Sequence, residues 1–308
     1  MDISSIISLI QTSVELGLVS SLTVLALFLS YTMLNVCDLS TDGCFTLGAA
    51  VGAVVALSGH PFLSIPAAML AGVTSGFITG ILQTKMGIDS LLSGIIVNTA
   101  LYSINIAIMG NSSLINLNKT ETVFTMLKTA LDGTSMAGMY KAVIAVIAVA
   151  ATVIFLALFL STRLGLAIRA TGNNPDMVRS SSINPVFTTL VGLCVANAFT
   201  ALSGCMLGQL QKSVNIDIGT GMVTMALASL LIGRAFLGRG KITTRAIGAV
   251  LGAVIFRIVY AVALRFNMPA FMLKFVSSVI VIIAISGPYL KSRIPVIKRR
   301  LSAKKARA

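Results

Sequence analysis

TRLGLAIRATGNNPDMVRSSSINP, residues 162–185, runs directly into VFTTLVGLCVANAFTALSGCML, residues 186–207. A charged connection therefore meets an apolar run long enough to cross a bilayer as a helix. Within the connection, Asn174-Pro175-Asp176 reads as a helix start. Asparagine caps, proline occupies the first helical position, and aspartate offsets the positive end of the dipole. Asn184-Pro185 repeats the device ten residues on. The spacing predicts a short helix, roughly 175–182, held in a charged loop between two membrane helices. That layout suits a docking element better than a catalytic site.

Outward from this segment the chain is greasy. Of its 308 residues 56% are hydrophobic and only 10% charged, and the mean hydropathy is +0.97, which excludes an ordinary soluble domain. Apolar runs predict an all-α polytopic bundle of about nine spans, at 11–34, 44–58, 62–83, 89–109, 139–160, 186–208, 219–236, 246–264 and 270–289. The second is short and reads as half of a broken helix. No stretch is long or polar enough for a separate soluble domain, so 1–308 reads as one membrane domain. The beginning, MDISSIISLI, shows no positive leader or small-residue cleavage site and reads as an interfacial lead-in rather than a signal peptide.

The net charge is +14, from 23 basic and 9 acidic residues. Its placement argues against nucleic acid as a partner. Eight basic residues follow Tyr289, three (Arg163, Arg169, Arg179) lie in the 161–185 loop, and four (Arg234, Arg239, Lys241, Arg245) lie in 234–245. Even numbers of spans separate these segments, so they share one side, which the positive-inside rule makes cytoplasmic. The tail, 290–308, reads as a lipid-headgroup anchor on that side. The 110–138 loop and the N-terminus then fall outside. In the outer loop, Val123, Phe124, Leu127 and Leu131 share one helical face with Thr120 as cap. Packing on the bundle and a lid for an outer partner are both open for it.

Glycines recur four apart at Gly48/Gly52, Gly72/Gly76/Gly80, Gly204/Gly208 and Gly248/Gly252, the spacing that lets helix backbones approach closely in lipid. Asp38-Leu-Ser-Thr-Asp-Gly43 leads into one small-residue helix and Asn215-Ile-Asp-Ile-Gly-Thr-Gly221 into another. Five spans, an odd number, lie between these two lead-in segments, so the helices they open point in opposite directions, as half-helices of an inverted repeat would. The similarity is slight and leaves a true repeat and a chance match open.

No enzyme constellation is visible. The single histidine, His60, sits in a turn; the four cysteines have no zinc-like spacing; and Gly233-x4-Gly238 is followed by Arg239-Gly240 rather than the Lys-Ser/Thr of a phosphate loop. Polar groups inside the spans are more informative, because a charge at mid-bilayer costs at least about 2.5–3.5 kcal/mol. Asp38, Asp42, Asn98, Asn105, Asp217 and Arg257 are the candidates for a substrate path. A helix-joining network, with Arg257 against an aspartate, is the alternative.

Order and spacing of four motifs resemble those of one family. They are YTMLNV (31–36) with LSTDG (39–43) and FTLGAAVGA; GFITGILQTKMGIDSLLSGIIVNTALYSINIAIMG (76–110); the 162–185 connection; and DIGTGMVTMALASLLIG (217–233) with GRAFLGRGK. Together, over about Gly17 to Pro288, the chain is similar to a permease subunit of an ATP-binding-cassette importer of the branched-chain amino acid/ribose permease type. Within it, the chain looks most like the branch linked to tryptophan and other aromatic amino acids. LSTDG departs from the LSLEG-like run usual there, and GNSS after IAIM is a second departure. Arg257 and Lys274 match basic positions of that branch.

The resemblance implies a mechanism. Two permease copies form the path, an ABC ATPase subunit binds ATP and Mg with no cofactor in this chain, and an extracytoplasmic solute-binding protein delivers a small solute, an amino acid. It implies docking of the ATPase on Arg169, Gly172, Asn173, Asn174, Pro175, Asp176 and Arg179, in a bacterial cytoplasmic membrane. A stand-alone secondary transporter is the competing class; few intramembrane acids are available to couple an ion.

Overall fold

In the computed structural model the described residues are 3–131, 139–237 and 240–265, with isolated helical positions at Phe275, Ser278, Val279, Ile282 and Ser286. The chain is a bundle of α-helices. α1 (Ile3–Leu27) continues into a π-helical turn (Phe28–Met33), then come α2 (Thr41–Leu57), α3 (Ser64–Thr84), α4 (Ser90–Ile108), β1 (Leu114–Asn116), α5 (Val123–Leu131), α6 (Tyr140–Ser161), α7 (Arg163–Asn173), α8 (Pro175–Ser180), α9 (Pro185–Gln211), β2 (Ser213–Asn215), α10 (Met222–Leu237) and α11 (Ile242–Arg265). Helices occupy eight of the nine expected spans. The ninth, 270–289, with Lys274, and the basic tail lie outside the described residues apart from the isolated positions.

Six helices are long and apolar enough to cross a membrane, while Thr41–Leu57 and Met222–Leu237 are shorter. At 17 and 16 residues, α2 and α10 reach only about 24–26 Å, short of the ~30 Å hydrocarbon core. α9, with 27 residues, is the central post; α2 and α3 make their most extensive contacts with it.

Glycine decides that packing. Apolar side chains gain nothing by leaving lipid for a partner helix, so close backbone contact has to hold the helices together. A Cβ on Gly48 would strike the Ala201 backbone, one on Gly204 the Phe45 carbonyl, and ones on Gly72 and Gly76 the backbone of α9 at Asn197 and Leu193. Gly252 meets Ser229 of α10, and Gly248 meets Leu237 and Gly233. The glycines spaced four apart in the sequence thus mark helix crossings.

At one end of the bundle β1 pairs antiparallel with β2, Ile115 opposite Val214. The sequence reading did not foresee this pair, because its strands are three residues long and separated by about a hundred positions. Gln209, buried beside it, donates to Ser64 Oγ at 2.6 Å and accepts the Val123 amide at 3.0 Å, joining α3, α5 and α9. α5 is the expected amphipathic helix, with Val123 and Phe124 buried. Its start differs: Thr122, not Thr120, meets the first turn, accepting the Thr125 amide through both Oγ1 and its carbonyl.

At the opposite end, what read as a charged loop is mostly helical. α7 forms because the Thr162 hydroxyl accepts the Gly165 amide at 3.1 Å and because Ile168 is fully buried. Gly172 lies so close to Met33 and Leu34 that a Cβ would meet their backbone, which fastens α7 to the end of the π-helical turn. That turn ends at Asn35, whose φ of 57° is a left-handed conformation asparagine tolerates. The chain then doubles back into the bundle over residues 36–40.

Candidate functional site

The two half-helices meet head to head. α2 starts beside α4, with Gly43 packed on Asn98 and Leu101, and runs toward the strand end, where Ala49 and Ala53 join Ile115, Leu117 and Val214. α10 starts against the first turn of α2. The Asp42 carboxylate accepts the Gly221 amide at 2.9 Å and the Val223 amide at 2.8 Å, and a Cβ on Gly219 would meet the Asp42 carbonyl. From there α10 runs the other way, to Gly233 against Gly248 of α11. Two half-helices of opposite direction, with their amino ends together inside the bundle, form the arrangement in which transporters place substrate sites.

Two cavities flank this junction. One, of about 390 Å³, is lined by Asp42, Asn98, Asn105, Asp217 and Thr220 among others. It brings together four of the six residues expected on a substrate path. Asn105, buried, donates to the Gly43 carbonyl at 3.1 Å, and its Oδ1 has no hydrogen-bond partner among the described residues. The second cavity, of about 470 Å³, is lined by Gln211, Thr220, Thr224, Arg257 and Tyr260 together with apolar Met222, Met225 and Phe256. Thr220 borders both.

Asp38 stands apart from both cavities. Fully buried, it accepts the Ser40 amide at 2.8 Å and Asn197 Nδ2 at 3.0 Å, tying the returning segment to α9.

Arg257 also differs from expectation. Among the described residues it pairs with no aspartate; Nε and Nη2 donate to Ser20 Oγ of α1 at 3.3 and 2.9 Å. The reason is geometric. Asp42 has both oxygens on α10 amides, Asp38 is held by α9, and α11 packs on α1, where Gly17 touches Val254 and Arg257. Among the described residues the one ion pair is exposed, Asp176 with Arg179 at 3.7 Å. Arg257's position inside an apolar helix and its match to a basic position of the resembling branch marked it in the sequence; Ser20 carried no signal.

The capped segment at the far end is built as the sequence indicates. Asn174 Oδ1 accepts the amides of Asp176 (3.1 Å) and Met177 (3.0 Å), and Pro175 opens α8. α8 ends at Ser180, two residues earlier than expected, since Ser182 takes a left-handed φ of 60°. Asn184 Oδ1 then caps α9 through Val186 and Phe187. Val178 is buried beneath α8, while Met177 is 67% exposed. Arg245 stacks over the Phe28 ring at 5.7 Å and lies within electrostatic reach of Arg169 and Arg234, so three of the basic segments' arginines gather at this end.

Residues 9–285 match the family model of the branched-chain amino acid transport system permease component. The chain belongs to this family. The permease is 31% identical over 280 residues to a tyrosine transport system permease protein of Clostridioides difficile, covering 91% of this chain and 90% of that one. It is 26% identical over 285 residues to an uncharacterized protein of Rickettsia prowazekii, covering 91% and 98%. A nucleoside ABC transporter permease protein of Lactococcus lactis is 28% identical over 180 residues, 52% of this chain and 48% of that one. No solved structure matches. The chain is thus a multi-pass membrane permease of the ABC transporter type.

Proposed function

We propose that this permease is the membrane-spanning subunit of an ATP-driven importer for an amino acid, aromatic or branched-chain, delivered by an extracytoplasmic solute-binding protein. One observation carries the reading. α8 is capped at its start by Asn174, seated by Val178, and otherwise exposed at the arginine-rich end of the bundle. This is a rigid knob for a separate nucleotide-driven subunit, and its contact residues are Arg169, Gly172, Asn173, Asn174, Pro175, Asp176 and Arg179. ATP and Mg belong to that ATPase.

The basic segments put α7–α8 and the 290–308 tail on the cytoplasmic side of a bacterial inner membrane, with lipid headgroups around the tail. Two permease copies enclose the path. Asp42, Asn98, Asn105, Asp217 and Arg257 line it around the half-helix junction, and Asp38 holds the returning segment in place. The Clostridioides relative is named for tyrosine and the Lactococcus one for nucleosides; the first matches nearly the whole chain, which favours an amino acid.

Opposed half-helices also occur in secondary transporters, and this favours a stand-alone carrier as the second reading. Proteoliposomes separate the two. Uptake of L-tyrosine or L-leucine requiring the ATPase subunit, the binding protein and internal ATP supports the importer. Uptake by the permease alone on an ion gradient supports the carrier.

A further inference from the structure

We infer that Arg257 is the anchor for the carboxylate of the transported solute in the cavity between α10 and α11. The inference rests on the import reading above and names the chemistry of its site. The guanidinium has five N–H donors. Among the described residues its hydrogen-bond partner is the single Ser20 hydroxyl, which engages Nε and Nη2. No hydrogen bond from Nη1 is formed among the described residues.

Charge placement sharpens the point. Residues 218–308 include no aspartate or glutamate, so α10 and α11 bring no carboxylate side chain of their own. On α1 the neighbouring acid, Glu15, is hydrogen-bonded by Gln11 at 3.3 Å. Asp42 is occupied by the α10 amides. An arginine that faces a cavity inside a membrane bundle, and has no acidic partner among the described residues, marks a ligand site by default.

The rest of the cavity fits an amino acid. Its ~470 Å³ lies inside the roughly 300–1,000 Å³ usual for small-molecule sites. Phe256 and Tyr260 stack along one wall, ring centres 6.5 Å apart, and Met222 and Met225 add deformable apolar surface. A cation beside an apolar wall selects a carboxylate that carries an apolar or aromatic side chain. It gives no advantage to a neutral sugar or nucleoside.

The test uses the permease with its ATPase and binding protein in proteoliposomes, with radiolabelled L-tyrosine and L-leucine as probes. Arg257→Gln is expected to lower uptake roughly ten- to hundredfold, the worth of a charge-assisted hydrogen bond, while the complex still assembles. Arg257→Lys is expected to retain most of the rate, and Ser20→Ala nearly all of it. The full-length permease supplies a second readout. L-tyrosine is expected to raise its melting temperature and L-tyrosinamide not, a difference absent in Arg257→Gln. Full uptake by Arg257→Gln, or equal stabilisation by the amide, would overturn the carboxylate site and leave the import reading standing. So would a loss in Arg257→Gln and Ser20→Ala that only follows lost assembly, with no tyrosine-specific stabilisation of the wild type. A complete wild-type complex that moves neither amino acid would overturn both.

Discussion

Asp42 Oδ1 accepts the amide of Val223 at 2.8 Å, so a side chain in the first turn of one half-helix caps the first turn of the other. The residues are far apart in sequence, yet this contact caps the start of α10 and ties it to α2. It also places Thr220 and Asp217 beside Asn98 and Asn105 around one cavity.

Replacing that carboxylate weakens the junction. Asp42→Asn keeps one acceptor oxygen and loses the charge, and is expected to cost about 1–2 kcal/mol, in the range of a lost helix cap. Thermal unfolding in detergent should show the loss. Uptake should fall while the ATPase still co-purifies, since α8 is at the other end of the bundle. Unchanged melting would mean that the contact does not hold the half-helices.

Asp217 has a different role, because it is exposed beside the cavity and its own amide is bonded to Asn215 Oδ1 at 3.0 Å. Asp217→Asn is expected to leave folding within about 0.5 kcal/mol and to slow uptake. Normal uptake by both Asp42→Asn and Asp217→Asn would reduce Asp42 to a helix cap and remove Asp217 from the path.

Helix crossings should be far less tolerant than lipid-facing apolar positions. Gly48→Val and Gly204→Val drive side chains into the α9 and α2 backbones, and little monodisperse protein is expected on size-exclusion chromatography. Leu70→Ala, at a position 66% exposed on α3, should behave as wild type, because lipid solvates either side chain. Equal expression of all three would contradict the packing.

Local chemistry made the charged connection legible. Asn174 and Asn184 each cap amides two and three residues on, so sequence alone located both helix starts. The glycines four apart were legible for a similar reason, since a spacing of four is a helix face. What the sequence hid depends on distant partners. α7 is held by Gly172 against Met33 and Leu34; β1 finds β2 far down the chain; Arg257 meets Ser20 instead of an acid. The six-residue π-helical turn at Phe28–Met33 had no local mark that sequence reading could use.

Charge reversal tests the lever. Arg169→Glu, Arg179→Glu and Pro175→Gly leave the buried contacts of Ile168 and Val178 intact, so the bundle should fold. Each is expected to separate ATP hydrolysis from uptake, seen as ATPase activity that no longer rises with loaded binding protein. Normal coupled uptake by all three would remove this segment from the mechanism.

The most direct test of the docking claim is a photo-crosslinking residue at Met177, exposed on α8, in membranes that contain the ATPase subunit. The account predicts one adduct, between permease and ATPase, whose yield changes on adding ATP, together with labelling of this position only by reagents that reach the cytoplasmic face. Labelling from the outer face, or no adduct with the ATPase, would contradict it.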